Sequence, residues 1–196
     1  MTPQSIPNHA EIDTTLRELG RDDGSAAARL LPLVYDELRA LATRLMARER
    51  ASHTLQPTAL VHEAYARVAS STGPDWSGAD HFLAVAAEAM RRVLVDHARR
   101  RNALKRGGDR CQLTLDQDLA PGEQREFDLL DLDEALEALA AEDDRMARVV
   151  TLRFFGGMTC ESVARVLGVS RKTVVQDWTF ARAWLSRRLT GDCADD

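Results

Sequence analysis

Residues 159–189, TCESVARVLGVSRKTVVQDWTFARAWLSRRL, constrain the fold more than any other stretch of this chain. Val163, Ala164 and Leu167 recur at helical spacing, and Gly168 breaks the pattern. Ser170 then stands where an N-cap is needed, ahead of a longer second helix. On that helix Val174, Trp178, Ala181 and Leu185 fall on one face, at steps of four, three and four. At about 100° per residue, Lys172, Gln176 and Thr179 project from the opposite face. Ala164 followed by Gly168, both small, predicts a close crossing of the two helices. This is the pattern of a helix-turn-helix, with polar side chains placed to reach base edges or phosphates from the major groove. The alternative is an ordinary helical hairpin.

Charge along the chain supports a nucleic-acid partner, although the net charge of -5 does not. Residues 91–110, RRVLVDHARRRNALKRGGDR, hold eight Arg/Lys against Asp96 and Asp109. Residues 171–188 hold five against Asp177, whereas residues 116–144 hold twelve acids and one base, Arg125. Two basic blocks around an acidic stretch make a dipolar chain whose blocks attract phosphate. A solvated helix end would explain two or three of the bases at 99–106, but not a cluster this dense.

Strand signals are nearly absent and the 3.6-residue period is nearly everywhere, so the expected fold is all-α. A short helix is expected over residues 12–19 and a longer one over 25–48, with Leu30, Leu33, Val34, Leu38, Leu41 and Leu45 as its stripe. Pro32 predicts a late start or a kink there. Pro57 suits the first turn of a third helix reaching about Ala69, and STGPDWSG (71–78) is a loop by composition. A fourth helix is expected from Asp80 to about Lys105, with Phe82, Leu83, Ala86, Met90, Val93, Leu94 and His97 inward, stopped by Gly107 and Gly108. The predicted organisation is two small helical domains, 10–108 and 127–190, joined by a polar, acidic linker over 109–126. The CADD tail is expected to fray.

Other classes lose ground on composition. No apolar run approaches a membrane span, and MTPQSIPNHAEID lacks the build of a signal peptide. Cys111, Cys160 and Cys193 are odd in number and contain no CxxC pair, which favours reduced thiols in a cytoplasm over a disulfide frame or zinc. Asp96 and His97 are adjacent, but no nucleophile or second acid accompanies them. With no phosphate loop or metal spacing either, no enzyme, cofactor or metal is expected.

The ordered set LQPTALVHEAYARV, MRRVLVDHARRR, RVVTLRFFGGMTCESVARVLGVS and ARAWLSRRL resembles bacterial sigma factors of the sigma-70 superfamily. The likeness is to the extracytoplasmic-function (ECF) group, and most closely to its subgroup with LQPTALVHEAY. It implies an RNA polymerase sigma factor that directs core polymerase to promoters. Leu60, Val61, His62, Glu63, Tyr65 and Arg67 then correspond to region 2.2, which docks on the β′ clamp; region 4 meets the β flap. From the residues alone, Glu63 and Arg67 read as a local ion pair on an amphipathic helix. Arg91, Arg92, Arg99, Arg100, Arg101, Lys105 and Arg106 would contact the downstream (-10) element as single-stranded DNA, with Phe82 and Trp76 the aromatics nearby. Arg153, Ser170, Arg171, Lys172, Thr173, Gln176, Thr179 and Arg182 would serve the upstream (-35) element.

One departure bears on regulation. Many members carry an acidic run where region 2.2 starts, but here Gln56-Pro57-Thr58-Ala59 has no carboxylate. Phosphorylation of Thr58, or second of Thr54, by a Ser/Thr kinase would restore the negative charge. The plainer role for either threonine is helix capping, and an anti-sigma factor or expression is the other route of control. A free-standing helix-turn-helix regulator is the competing function, but it has no need of the second basic helix beside LVHEAYARV.

Overall fold

The computed structural model describes residues 12–14, 25–47, 55–70, 78–104, 112–114 and 126–190. Among the described residues, three long helices stand out in the N-terminal part: α1 (Ser25–Ala47), α2 (Pro57–Ser70) and α3 (Ala79–Leu104). α2 packs between α1 and α3. Helix α1 is continuous through Pro32, so the expected late start does not occur. Its stripe is buried at Val34, Leu38, Leu41 and Leu45; Leu30 and Leu33 lie outside the described side chains.

Pro57 opens α2, where its missing N–H leaves no helical bond unmade, and Leu60 N–H donates to the Gln56 carbonyl at 3.1 Å. Residues 12–14 are helical, and the Asp13 carboxylate accepts from Ala79 N–H at 2.6 Å, fixing the start of α3. The remainder of the expected first helix, the 71–77 loop, Gly107, Gly108 and the C-terminal tail lie outside the described residues.

The linker corrects one expectation. Two strands, β1 (Gln112–Thr114) and β2 (Glu126–Asp128), pair antiparallel with Leu113 opposite Phe127. Runs of three residues are too short to show a strand period. The first helix of the second part therefore begins at Leu129, because Phe127 belongs to the ribbon. It comprises α4 (Leu129–Glu142), α5 (Asp144–Phe154), α6 (Cys160–Leu167) and α7 (Arg171–Thr190).

Aspartates punctuate this part. Asp128 caps α4 by accepting from Leu130 N–H at 2.9 Å. Asp143 ends α4 through its own N–H to the Leu139 carbonyl at 2.7 Å, then caps α5 by accepting from Met146 N–H at 3.0 Å. One residue thus turns the chain between two helices that share α7 as a packing partner.

Helices α3 to α7 join in one apolar core. Phe82, Ala87, Met90 and Leu94 of α3 belong to the same buried cluster as Leu129, Leu136, Val150, Phe155 and Val174. A Cβ on Gly156 would lie 2.5 Å from the Leu152 carbonyl oxygen and 3.0 Å from the Ala87 Cβ, so the α5–α6 turn and α3 approach closely there.

Gly168 has a different role from the one its spacing predicted. Nothing lies within 4 Å of where its Cβ would be, so it does not serve a close helix crossing. Its φ of 66° ends α6 in the left-handed conformation, with Val169 N–H donating back to the Ala164 carbonyl. Gly168→Ala should therefore cost about 1–2 kcal/mol from backbone strain alone. Gly168→Asn should recover part of that loss in a thermal melt.

Candidate nucleic-acid interface

The turn between α6 and α7 sets the presented face. Thr159 caps α6, accepting from Ser162 N–H at 3.1 Å, and Ser170 caps α7, accepting from Thr173 N–H at 3.0 Å. Ser170 and Thr173 also share a hydroxyl–hydroxyl bond of 2.8 Å, so both act first in holding the helix start. Val174, Ala181 and Leu185 are buried and Trp178 is half-buried, as the spacing predicted. Lys172, Gln176 and Thr179 are exposed on the other side. Thr179 donates its hydroxyl to the Val175 carbonyl at 2.8 Å, within the helix.

Asp177 was legible only as an acid among bases, yet it is buried on the inner face of α7. Arg145 of α5 donates to both of its oxygens, Nε to Oδ2 at 2.7 Å and Nη2 to Oδ1 at 3.2 Å. The same carboxylate holds the Arg145 guanidinium above its ordinary pKa. This two-point pair fixes the rotation of α7 against α5, and with it the direction in which Lys172 and Gln176 point.

The remaining upstream candidates divide by position. Arg171 is exposed and pairs with Glu161 of α6. Glu161 lies below the usual carboxylate range, chiefly through a hydrogen bond to its own backbone at the helix start, with Arg171 adding to the effect. Arg153 is half-buried behind α7, donating to the Cys160 sulfur at 2.8 Å with its guanidinium 5.0 Å from the Trp178 ring. Arg182 lies 5.9 Å from the same ring, so two cations approach it. Two residues missed in the sequence flank the polar face: Val175 and Phe180, the latter 65% exposed. Their signal was their place on the helical wheel beside Gln176.

On α3 the downstream candidates do not share one open surface. Arg92 is exposed and pairs with Glu88 at 3.1 Å; Arg100 is exposed. Arg91 is largely covered, and both it and Arg99 donate to Asp133 of α4. Arg101 is buried, and so is Phe82, which removes that ring from any base-stacking surface here. Lys105, Arg106 and Trp76 lie outside the described residues. Asp96 accepts from Arg67 of α2 at 2.7 Å, which gives it a structural partner. Arg67 thus reaches across to α3, where the sequence had offered an ion pair with Glu63.

Helix α2 presents a mixed face. Leu60 and Val61 are fully buried, whereas His62 and Glu63 are exposed. Tyr65 is half-buried, which pushes its phenol up. Thr58 is half-buried in the first turn, which contains no acid; Thr54 lies outside the described residues. Among the described residues no group of three His, Cys, Asp or Glu is placed to hold a metal, and no helix is long and apolar enough to cross a membrane.

A search of the curated proteins gave no match. The family model described as ECF sigma factor matches residues 9–191, which takes in every helix above. Its span covers both the basic helix α3 and the helix-turn-helix of α6 and α7. The chain belongs to the ECF sigma factor family and acts as an RNA polymerase sigma factor in transcription initiation, with core polymerase and promoter DNA as its partners.

Proposed function

We propose that this sigma factor divides its work between residues 10–108 and 127–190. Helix α2 docks on core polymerase through His62, Glu63, Tyr65 and Arg67, with Leu60 and Val61 supporting that face from the core. Helix α3 contacts the downstream element, and α7 reads the upstream element with Lys172 and Gln176. The observation that carries this is the exposure of Lys172, Gln176 and Thr179 opposite the buried Val174, Ala181 and Leu185. The protein works in the cytoplasm without catalysis, metal or cofactor. Binding to core polymerase tests the reading against a free-standing regulator, which would bind duplex DNA unaided.

Control falls to Thr58, phosphorylated by a Ser/Thr kinase, with Thr54 the second choice. Its place in an acid-free first turn supports this, because a phosphate there adds roughly two negative charges at a helix end that favours them. A charge-assisted contact to polymerase is worth about 1.5–3 kcal/mol. Thr58→Glu should therefore bind core polymerase roughly ten- to hundredfold more tightly than the unmodified chain. A pull-down with equal recovery of unmodified chain, Thr58→Glu and Thr58→Ala would remove the switch and leave control to an anti-sigma factor.

A further inference from the structure

Helix α7 carries one acid, Asp177, and the fold places it inside. Its side chain is 6% exposed, while the Arg145 guanidinium that holds both of its oxygens is 46% exposed. Net stability is a poor reason for such a pair. Desolvation of the carboxylate offsets much of the attraction, and apolar side chains of similar volume in its place are often neutral or stabilising. Direction is what the pair supplies and an apolar contact does not. Val174, Ala181 and Leu185 hold α7 by burial, which is non-directional and tolerates a small roll of the helix about its axis. The cations 5.0 and 5.9 Å from the Trp178 ring are attracted to a broad face. Trp184 Nε1 donates to Glu142 at 3.1 Å, but that contact is exposed and lies toward the far end of the helix. Two parallel hydrogen bonds from one planar fork fix angle as well as distance.

The consequence falls on the outward face. Gln176 directly precedes Asp177, about 100° around the helix. Side-chain tips lie about 5–6 Å from the axis, so a roll of about 20° carries the Gln176 amide roughly 2 Å sideways. Hydrogen bonds keep their strength over a range of about 0.5 Å, so that displacement breaks a bidentate contact to a base. Phe180 is 65% exposed and stands about 40° from Gln176 on the same wheel. A larger roll therefore gives the bearing of Gln176 to an apolar ring, which favours a different base edge.

We infer that Arg145 and Asp177 determine promoter specificity as positioning residues. They set the bearing of Gln176 without touching a base, and they contribute little to stability. This rests on the reading of α7 as the helix that meets the upstream element.

The test uses the full-length Arg145→Met, Asp177→Leu double variant, assembled with core polymerase and offered promoters randomised across the upstream element. It should melt at or above the wild-type temperature. Its preference at the base pair read by Gln176, which a bidentate contact sets at roughly 5- to 140-fold, should fall toward none. The slope of log K against log salt should not change, because no phosphate contact is lost. Arg145→Lys keeps the charge but presents a point in place of the fork. It should lower the same preference in part, and it decides the matter if the double variant does not fold. Trp184→Phe removes the exposed contact and should keep the wild-type preference. Wild-type preference in the folded double variant, or in Arg145→Lys, overturns the inference. A double variant that melts well below wild type makes the pair structural, and a slope reduced by about 0.9 makes Arg145 a phosphate contact. Gln176→Ala, run alongside, separates the two levels. If it keeps every preference, the reading of α7 fails and this inference with it; if only the pair variants keep them, positioning alone fails.

Discussion

Phe155→Ala should lower the stability of the chain by about 3–5 kcal/mol, the range for emptying a packed aromatic site. Phe155 is 1% exposed and meets Phe154 edge to face, with centroids 4.9 Å apart and planes at 82°. It caps the end of α5 just before the Gly156–Gly157 turn, where α3 comes nearest, so few neighbours are free to collapse into the gap. Against a typical total of about 5–15 kcal/mol, such a loss would leave much of the chain unfolded at moderate urea. Phe155→Leu keeps most of the volume and should cost about 1.5 kcal/mol or less. Urea midpoints at constant m-value separate the two. A Phe155→Ala midpoint within error of wild type would mean that the ring is not part of a close-packed core.

The helical period carried most of the fold because most buried positions are apolar and local. Val174, Ala181 and Leu185 announce the inner face of α7, and Ser170 announces its start. What escaped were the carboxylates on those same faces. Asp177 lies between Val174 and Ala181 at steps of three and four, and Asp133 stands one turn from Leu129 and Leu136. Each occupies a position of the apolar stripe. Neither was legible as a buried group, Asp133 within an acidic stretch and Asp177 among bases, because their partners lie 32 residues away for Asp177 and 34 and 42 for Asp133. Local spacing does not encode a pairing at that distance. Gly168 was recognised as a breaker for an incomplete reason, since left-handed φ and close approach leave the same letter in the sequence. The dual cap at Asp143 was hidden by its neighbours Glu142 and Asp144, which make it one acid among three. The site followed the same division: Lys172, Gln176 and Thr179 were legible as an outward face. The occupation of Arg91 and Arg99 by Asp133 was not, because it depends on how two helical parts meet.

Two substitutions on that outward face should separate positioning from base reading. Gln176 is exposed near the start of α7, with an amide that can both donate to and accept from a base edge. Such a bidentate contact discriminates against a wrong base by about 1–3 kcal/mol. Gln176→Ala, combined with core polymerase and offered a library randomised across the upstream element, should lose preference at one base pair and keep it at the others. Lys172 is exposed one turn earlier and carries a point charge. Lys172→Ala should weaken all promoters about equally and reduce the salt slope by about 1, the mark of a phosphate contact. The exposed Phe180 and Val175 flank Gln176 and offer apolar contact to a thymine methyl group. Discrimination that survived Gln176→Ala but disappeared in Val175→Ala would transfer the reading to the apolar side of the helix. Unchanged preferences in all three variants would mean that α7 positions the polymerase on the promoter and reads no sequence.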